Sequence, residues 1–273
     1  MEAIYLLLII VSGFVMGSFI TAYSYRAPRK KSIAKGRSFC DSCGKKISWY
    51  DNIPLFSYIL LNSKSRCCNK KIGRRYPSIE ISTAAIFSLM YFAYKNCSFA
   101  GNFPVLPSTV CSMRESFGIG ALFLLLFAVV ILISIFVIDF ENQIIPDEPV
   151  FLLFTVAFLV FVLGTSPLLY QNLLVAFAVA AFFLLLNLIT LGRGMGLGDV
   201  KLSLVLSFIL GWPNSFVFLF ASFVTGSIVG VFLILTGKAK FGKHIPFGPF
   251  LVFSFFMVLI FGPLFVFPML PYY

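Results

Sequence analysis

The chain predicts an all-α, polytopic membrane bundle of about eight spans, with a small cysteine-containing loop domain at one face. Three observations carry that prediction. Of 273 residues, 60% are hydrophobic and only 11% are charged. The mean hydropathy is +0.99, which suits a helical membrane protein and not a soluble domain. The net charge of +11 is also gathered in one place. Residues 26–78 hold fourteen Lys and Arg side chains, opposed only by Asp41 and Asp51.

The elements follow from apolar length, since roughly 20 residues cross a bilayer. The first run is Ala3–Tyr23. Glu2 is its only preceding charge, so the basic start of a cleavable signal is missing. The basic loop follows, and Ile79–Tyr94 is the second run. Lys95–Ser116 is rich in Pro, Ser and Asn and reads as a loop. Phe117–Ile138 is the third run, and Phe140–Asp147 a short polar turn. Val150–Leu163 and Leu173–Leu191 are the fourth and fifth, joined through Thr165-Ser166-Pro167. After a glycine-dense turn comes a short sixth, Val200–Gly211, of about 12 residues or about 18 Å. Phe216–Leu235 and Pro249–Val266 complete the set.

Charge bias orients these runs. With the N-terminus outside, the inner loops collect the basic block together with Arg193, Lys238, Lys240 and Lys243, while the outer loops carry Lys95 and Arg114. That is the positive-inside pattern. The basic block also suits anionic lipid headgroups. No nucleic-acid recognition motif accompanies it. The natural division is 1–25 as the first span, 26–78 as a cytoplasmic loop domain and 79–273 as a membrane core.

Two acids interrupt the apolar pattern at the same predicted face. Asp139 ends the third run, and Asp199 closes Gly194-Met195-Gly196-Leu197-Gly198 before the sixth. Charge inside a bilayer is costly and calls for a role. Two neighbouring carboxylates hold their protons unequally, so one acts as base while the other acts as acid. Such a pair hydrolyses a peptide without any cofactor. The alternative is helix capping, which Asp147 before Glu148-Pro149 also fits. Spacing alone leaves both readings open. Gly196 and Gly198 clear space beside Asp199 for a substrate backbone. Lys201 is placed to orient Asp199 or to meet a headgroup. His244 is the only histidine, which leaves no Ser-His or Cys-His arrangement, and it reads as a loop residue.

The cysteines divide between the faces. Cys40-x-x-Cys43 has zinc-ribbon spacing. Cys67 and Cys68 are adjacent, which is awkward for one zinc ion, and a second C-x-x-C is absent. Cys97 and Cys111 share the outer loop, where an oxidising compartment permits a disulfide. Trp49-Tyr50-Asp51-Asn52-Ile53-Pro54 is a polar-aromatic stretch suited to folding the loop onto the membrane surface.

Several segments in order resemble the bacterial prepilin peptidases, the type IV leader peptidases. They are Gly17-Ser18-Phe19 with Tyr25-Arg26-Ala27-Pro28, the first cysteine pair, Trp49 to Leu61, and Arg75-Tyr76-Pro77 with Glu80. Asp139 through Asp147, Met195 through Leu202, and Ile245 through Phe250 continue the match. The resemblance implies an aspartic endopeptidase with Asp139 and Asp199 catalytic and Asp147 in support. It implies prepilin or type II secretion pseudopilin substrates, cut at the cytoplasmic face of the inner membrane. It also implies a second activity, N-methylation of the new N-terminus with S-adenosylmethionine, associated with the cysteine loop. Thr21 departs from the family's usual Asn, and Ser65 stands where its third cysteine is expected. The rival from another class is an ion-coupled transporter using the two acids.

Overall fold

The structure is a computed structural model that describes residues 2–32, 38–40, 42–95, 108–164, 168–192, 194–237 and 245–266. Eight long helices coincide with the eight apolar runs: α1 (Glu2–Arg26), α3 (Arg75–Lys95), α5 (Ile119–Asn142), α6 (Asp147–Leu163), α7 (Leu169–Ile189), α8 (Leu197–Leu210), α9 (Asn214–Leu235) and α10 (Gly248–Val266). Two short α-helices, α2 (Phe56–Leu60) in the loop and α4 (Ser108–Phe117) after α3, and two 3-10 turns, Ala27–Arg29 and Trp49–Asn52, are the other helical segments among the described residues. By length and composition alone, the helices beginning at Glu2, Ile119, Leu169 and Asn214 suffice to cross a membrane.

One expectation is corrected here. The stretch assigned to a loop before Ser116 contains α4. Its polar composition hid it, but Cys111 and Met113 pack against the core from it. Arg114 donates to the carbonyls of Tyr94 and Lys95, fastening α4 to the end of α3. Cys111 is disulfide-bonded, and its expected partner, Cys97, lies outside the described residues.

The bundle is organised around α5. Of its most apolar stretch 61% is buried, against 17% for α1 and 11% for α9. The lipid-facing helices are therefore peripheral, and α5 is the axis. α1 and α3 run antiparallel and nearly touch. A Cβ on Gly13 would stand 2.6 Å from Ala84 Cα, and one on Gly17 would stand 2.6 Å from Glu80 Cα. Glycines four apart on an apolar helix allow this approach, and dispersion then replaces the hydrophobic drive that lipid removes. Lys95 pairs with Glu2 at 2.6 Å across the far end of the same two helices.

α8 is the shortest of the eight and the most enclosed. It packs on α6, α7, α9 and α10, with Leu202, Leu206, Phe208 and Leu210 fully buried. At 14 residues it rises about 21 Å, so it does not reach across a bilayer alone. Asn172 of α7 donates to the Phe208 carbonyl at 3.1 Å. Asn187 donates to the Met195 carbonyl. These amides tie both ends of α8 to α7 and fix where the glycine turn lies.

Candidate active site

Asp139 sits one turn before the end of α5. Gln143 adopts the left-handed conformation and returns its N–H to the Asp139 carbonyl, which stops the helix just past the acid. The side chain is 4% exposed. Its Oδ2 accepts the Gly248 N–H at 3.0 Å, and Gly248 is the first residue of α10. A Cβ on Gly248 would stand 2.6 Å from that oxygen, so only glycine lets the amide approach. The start of α10 is held by Phe247, whose ring packs on Phe183, Phe223 and Phe250.

Asp199 lies at the third position of α8, not before it, because the helix starts at Leu197. The carboxylate is 8% exposed and its Oδ2 accepts the N-cap Gly196 N–H at 3.1 Å. This is one arm of a capping box; glycine has no side chain to supply the other. Capping and catalysis, posed as alternatives above, thus meet in one side chain. Both acids use Oδ2 for a backbone N–H at a helix start, where the dipole favours negative charge. Among the described residues neither takes a hydrogen bond on Oδ1.

Ile145 joins the two halves. It belongs to the four-residue turn between α5 and α6. A Cβ on Gly198 would stand 2.9 Å from Ile145 Cβ, and one on Gly248 would stand 3.3 Å from Ile145 Cδ1. The isoleucine therefore wedges between the glycine beside each acid. Ile145 is thus a shared neighbour of the glycines that flank the two carboxylates. Gly198 serves this packing, while Gly196 supplies the amide.

Lys201 is placed differently from the expectation that it orients Asp199. Its Nζ pairs with Asp147 Oδ1 at 2.8 Å, both half-exposed. Asp147 is the first residue of α6, with Pro146 at the N-cap position, so it flanks the site and points outward. Gly248 and Ile145 lie inside the segments that resemble the leader peptidases, but the sequence assigns them no role; motif membership is the signal, and only the packing shows what each does.

The cysteine loop is built from two tight turns, each closed by a β-bridge, Phe39 with Lys46 and Lys64 with Lys71. The Sγ atoms of Cys40, Cys43, Cys67 and Cys68 all lie within 4.8 Å of one another. Cys43 and Cys67 are 3.2 Å apart, and Cys40 and Cys68 are 3.8 Å apart. A tetrahedral zinc with bonds of about 2.3 Å spaces its sulfurs by roughly 3.8 Å. The doubt about adjacent cysteines is thereby corrected. The left-handed backbone at Asn69 folds the second turn back on itself, so that Cys67 and Cys68 both reach the first pair. Ser65, in place of the expected third cysteine, lies 2.9 Å from Cys68 Sγ. Burial opposes ionisation of Cys40, but the N–H groups of Ser42 and Cys43 outweigh it, and the thiol falls to about 6. Hydrogen bonding to Cys43 pushes Cys67 up to about 12. The four thiols form a cluster able to hold a metal ion.

The fold and site define a helical membrane protein built around two buried carboxylates at helix ends, with a separate thiol cluster. Residues 11–94 match the Bacterial Peptidase A24 N-terminal domain, and residues 116–231 match the Type IV leader peptidase family. A prepilin leader peptidase/N-methyltransferase of Vibrio cholerae is 30% identical, over 94% of this chain and 97% of that protein. Proteins of the same name from Bacillus subtilis and Pseudomonas aeruginosa are 29% and 26% identical, over 93% and 94% of the chain and 94% and 91% of their own lengths. No solved structure matches. The chain belongs to the type IV leader peptidase family. Nothing in these comparisons supports the ion-coupled transporter.

Proposed function

We propose that the chain is a membrane aspartic endopeptidase that removes the leader from prepilins or pseudopilins and then N-methylates the new terminus. The observation that carries this reading is the pairing of Asp139 and Asp199 through Gly248, Gly196 and Ile145. One carboxylate removes a proton from water as it attacks the scissile carbonyl. The other donates a hydrogen bond to that carbonyl and then a proton to the leaving amine. The backbone N–H on each Oδ2 fixes both rotamers and leaves Oδ1 for proton transfer. Leader cleavage needs no further group. Gly196 leaves room for an extended substrate backbone beside Asp199, whereas the space at Gly198 is taken by Ile145, and the Lys201–Asp147 pair borders that path.

In this reading residues 1–25 form the first span, 26–78 the cytoplasmic loop domain and 79–273 the peptidase core of an inner-membrane protein. The N-terminus lies outside and the acids face the cytoplasm, as the charge bias directs. The thiol cluster fits zinc in donor type and spacing, and Cys40, Cys43, Cys67 and Cys68 would hold it to knit the two turns. S-adenosylmethionine, when bound, supplies an activated methyl group. A cavity of about 420 Å³ among α1, α3 and the loop fits a molecule of that size, with tyrosine rings and the acids Asp51 and Glu80 on its wall. The disulfide partner of Cys111 is Cys97, closing the outer loop.

The test is to incubate detergent-solubilised protein with a prepilin, with and without S-adenosylmethionine, and weigh the new N-terminus. Cleavage and a methyl mass increment are expected. Asp139→Asn and Asp199→Asn should each lower cleavage by about a hundredfold or more while the protein remains folded. Undiminished processing by either variant overturns the dyad.

A further inference from the structure

Cleavage leaves one buried acid of the membrane half unused. Glu80, on α3, is 6% exposed. Its Oε2 accepts the Leu55 N–H at 2.8 Å, and the Ser18 side chain hydrogen-bonds the same carboxylate. Leu55 is held at φ +55°, a conformation uncommon outside glycine. The loop thus accepts local strain at the residue that meets Glu80.

Glu80 does not face packed core. It lines the cavity among α1, α3 and the loop, as do Tyr25, Tyr58, Tyr76 and Arg26, and neither Asp139 nor Asp199 does. Its depth is informative. Glu80 packs on Gly17, nine residues before Arg26 on α1 and so roughly 13 Å below that helix's basic end. The neighbouring Val15 and Phe19 are exposed on the outer face of α1. A groove bounded by Val15, Phe19 and Pro54 shares Ser18 and Ala22 with the cavity. The apolar side of this groove therefore leads to a carboxylate at leaflet depth, where an unpaired charge is costly and a cationic partner is favoured, while Arg26, Ser38 and Asn52 form its polar side.

We infer that this cavity is the methyl-transfer site and that Glu80 receives the α-ammonium of the freshly cut apolar helix. The inference rests on the N-methylation reading above. Leader removal puts a new ammonium group at the head of an apolar helix. Glu80 pairs with it and takes one proton. The freed lone pair forms the N–C bond to the donor methyl as the C–S bond breaks, and that electron pair stays on sulfur, which becomes a neutral thioether. The methylated amine is again cationic, and Glu80 returns its proton to water at the polar end of the cavity. Two acids cut and a third, elsewhere, modifies.

The experiment uses the full chain in detergent and a synthetic apolar peptide bearing the mature N-terminus, either free or N-acetylated. Wild type is expected to bind the free amine roughly tenfold tighter or more, as a charge-assisted hydrogen bond requires. Glu80→Gln keeps an acceptor for Leu55 N–H. It should abolish this preference and lower methylation about a hundredfold, with prepilin cleavage within about twofold of wild type. Methylation by Glu80→Gln at the wild-type rate overturns the inference. So does the absence of amine preference in wild type, which decides the matter even if the variant loses cleavage as well. Wild type that cleaves but never methylates sinks the N-methylation reading instead, and amine selectivity still reports on Glu80.

Discussion

The carboxylate site and the cysteine loop are held together by different forces. Around Asp139 and Asp199 the backbone does the positioning. Two helix starts deliver N–H groups, two glycines allow the approach, and the surroundings are enclosed apolar helices. The loop has little core of its own. Among its described residues ahead of α3, Cys40 and Ser57 are buried, while Trp49, Phe56, Ile59 and Leu60 are exposed. Its two turns meet through four thiols, and Arg66 of the second turn pairs with Asp51 of the segment between them at 3.0 Å. A site made of backbone tolerates no added atom. A domain made of thiols depends on what the thiols bind.

That contrast can be broken at several points. The largest effect is expected at Gly248→Ala, whose methyl would occupy the space of Asp139 Oδ2. Displacing the acid should cost cleavage about a hundredfold with the helical content unchanged, measured by prepilin processing beside circular dichroism. Near-normal processing would show that the Gly248 amide is dispensable.

Next comes the loop. Stripping metal with a chelator, or replacing Cys43 with Ser, should lower methylation at least tenfold, as loss of a metal-organised fold requires. Cleavage should change far less, and one mass-spectrometric assay of the mature terminus reads both. A parallel fall in cleavage would make the two regions a single unit.

Arg75 tests their connection. It donates to both oxygens of Glu141, two residues past Asp139, and its Nη2 donates to Ser24 of α1 at 2.7 Å. Arg75→Ala should destabilise the protein by about 1–2 kcal/mol and impair both activities, seen as an earlier thermal transition in detergent. The smallest effect is expected at Lys201→Ala. Its pair with Asp147 is half-exposed on both sides, and exposed pairs are worth roughly 0.2–1 kcal/mol. A loss of activity much larger than that implies would move Lys201 into the reaction itself.

Much of this was legible without coordinates. Apolar runs marked all eight long helices because lipid demands continuous hydrophobicity. α4 escaped because it is short and polar and gains its place by packing on α5 and α3. The acids stood out for the same reason that the runs did, as charges where charge is costly. Their environment did not. Whether Asp199 caps a helix or faces a partner depended on where α8 begins, and glycine-rich turns do not announce the first helical residue.

The sequence by itself determined the membrane class, the eight long helices, the two acids and the paired thiols, because hydropathy and side-chain chemistry are properties of residues taken singly. Tertiary structure decided the rest. It put Gly248, 109 positions away, onto Asp139, and Ile145 between two glycines. It gathered adjacent cysteines into one cluster, turned Lys201 toward Asp147, and set Glu80 at the wall of a cavity. Each of these is a contact between distant segments, fixed by close packing of whole helices, and no local pattern encodes such a contact.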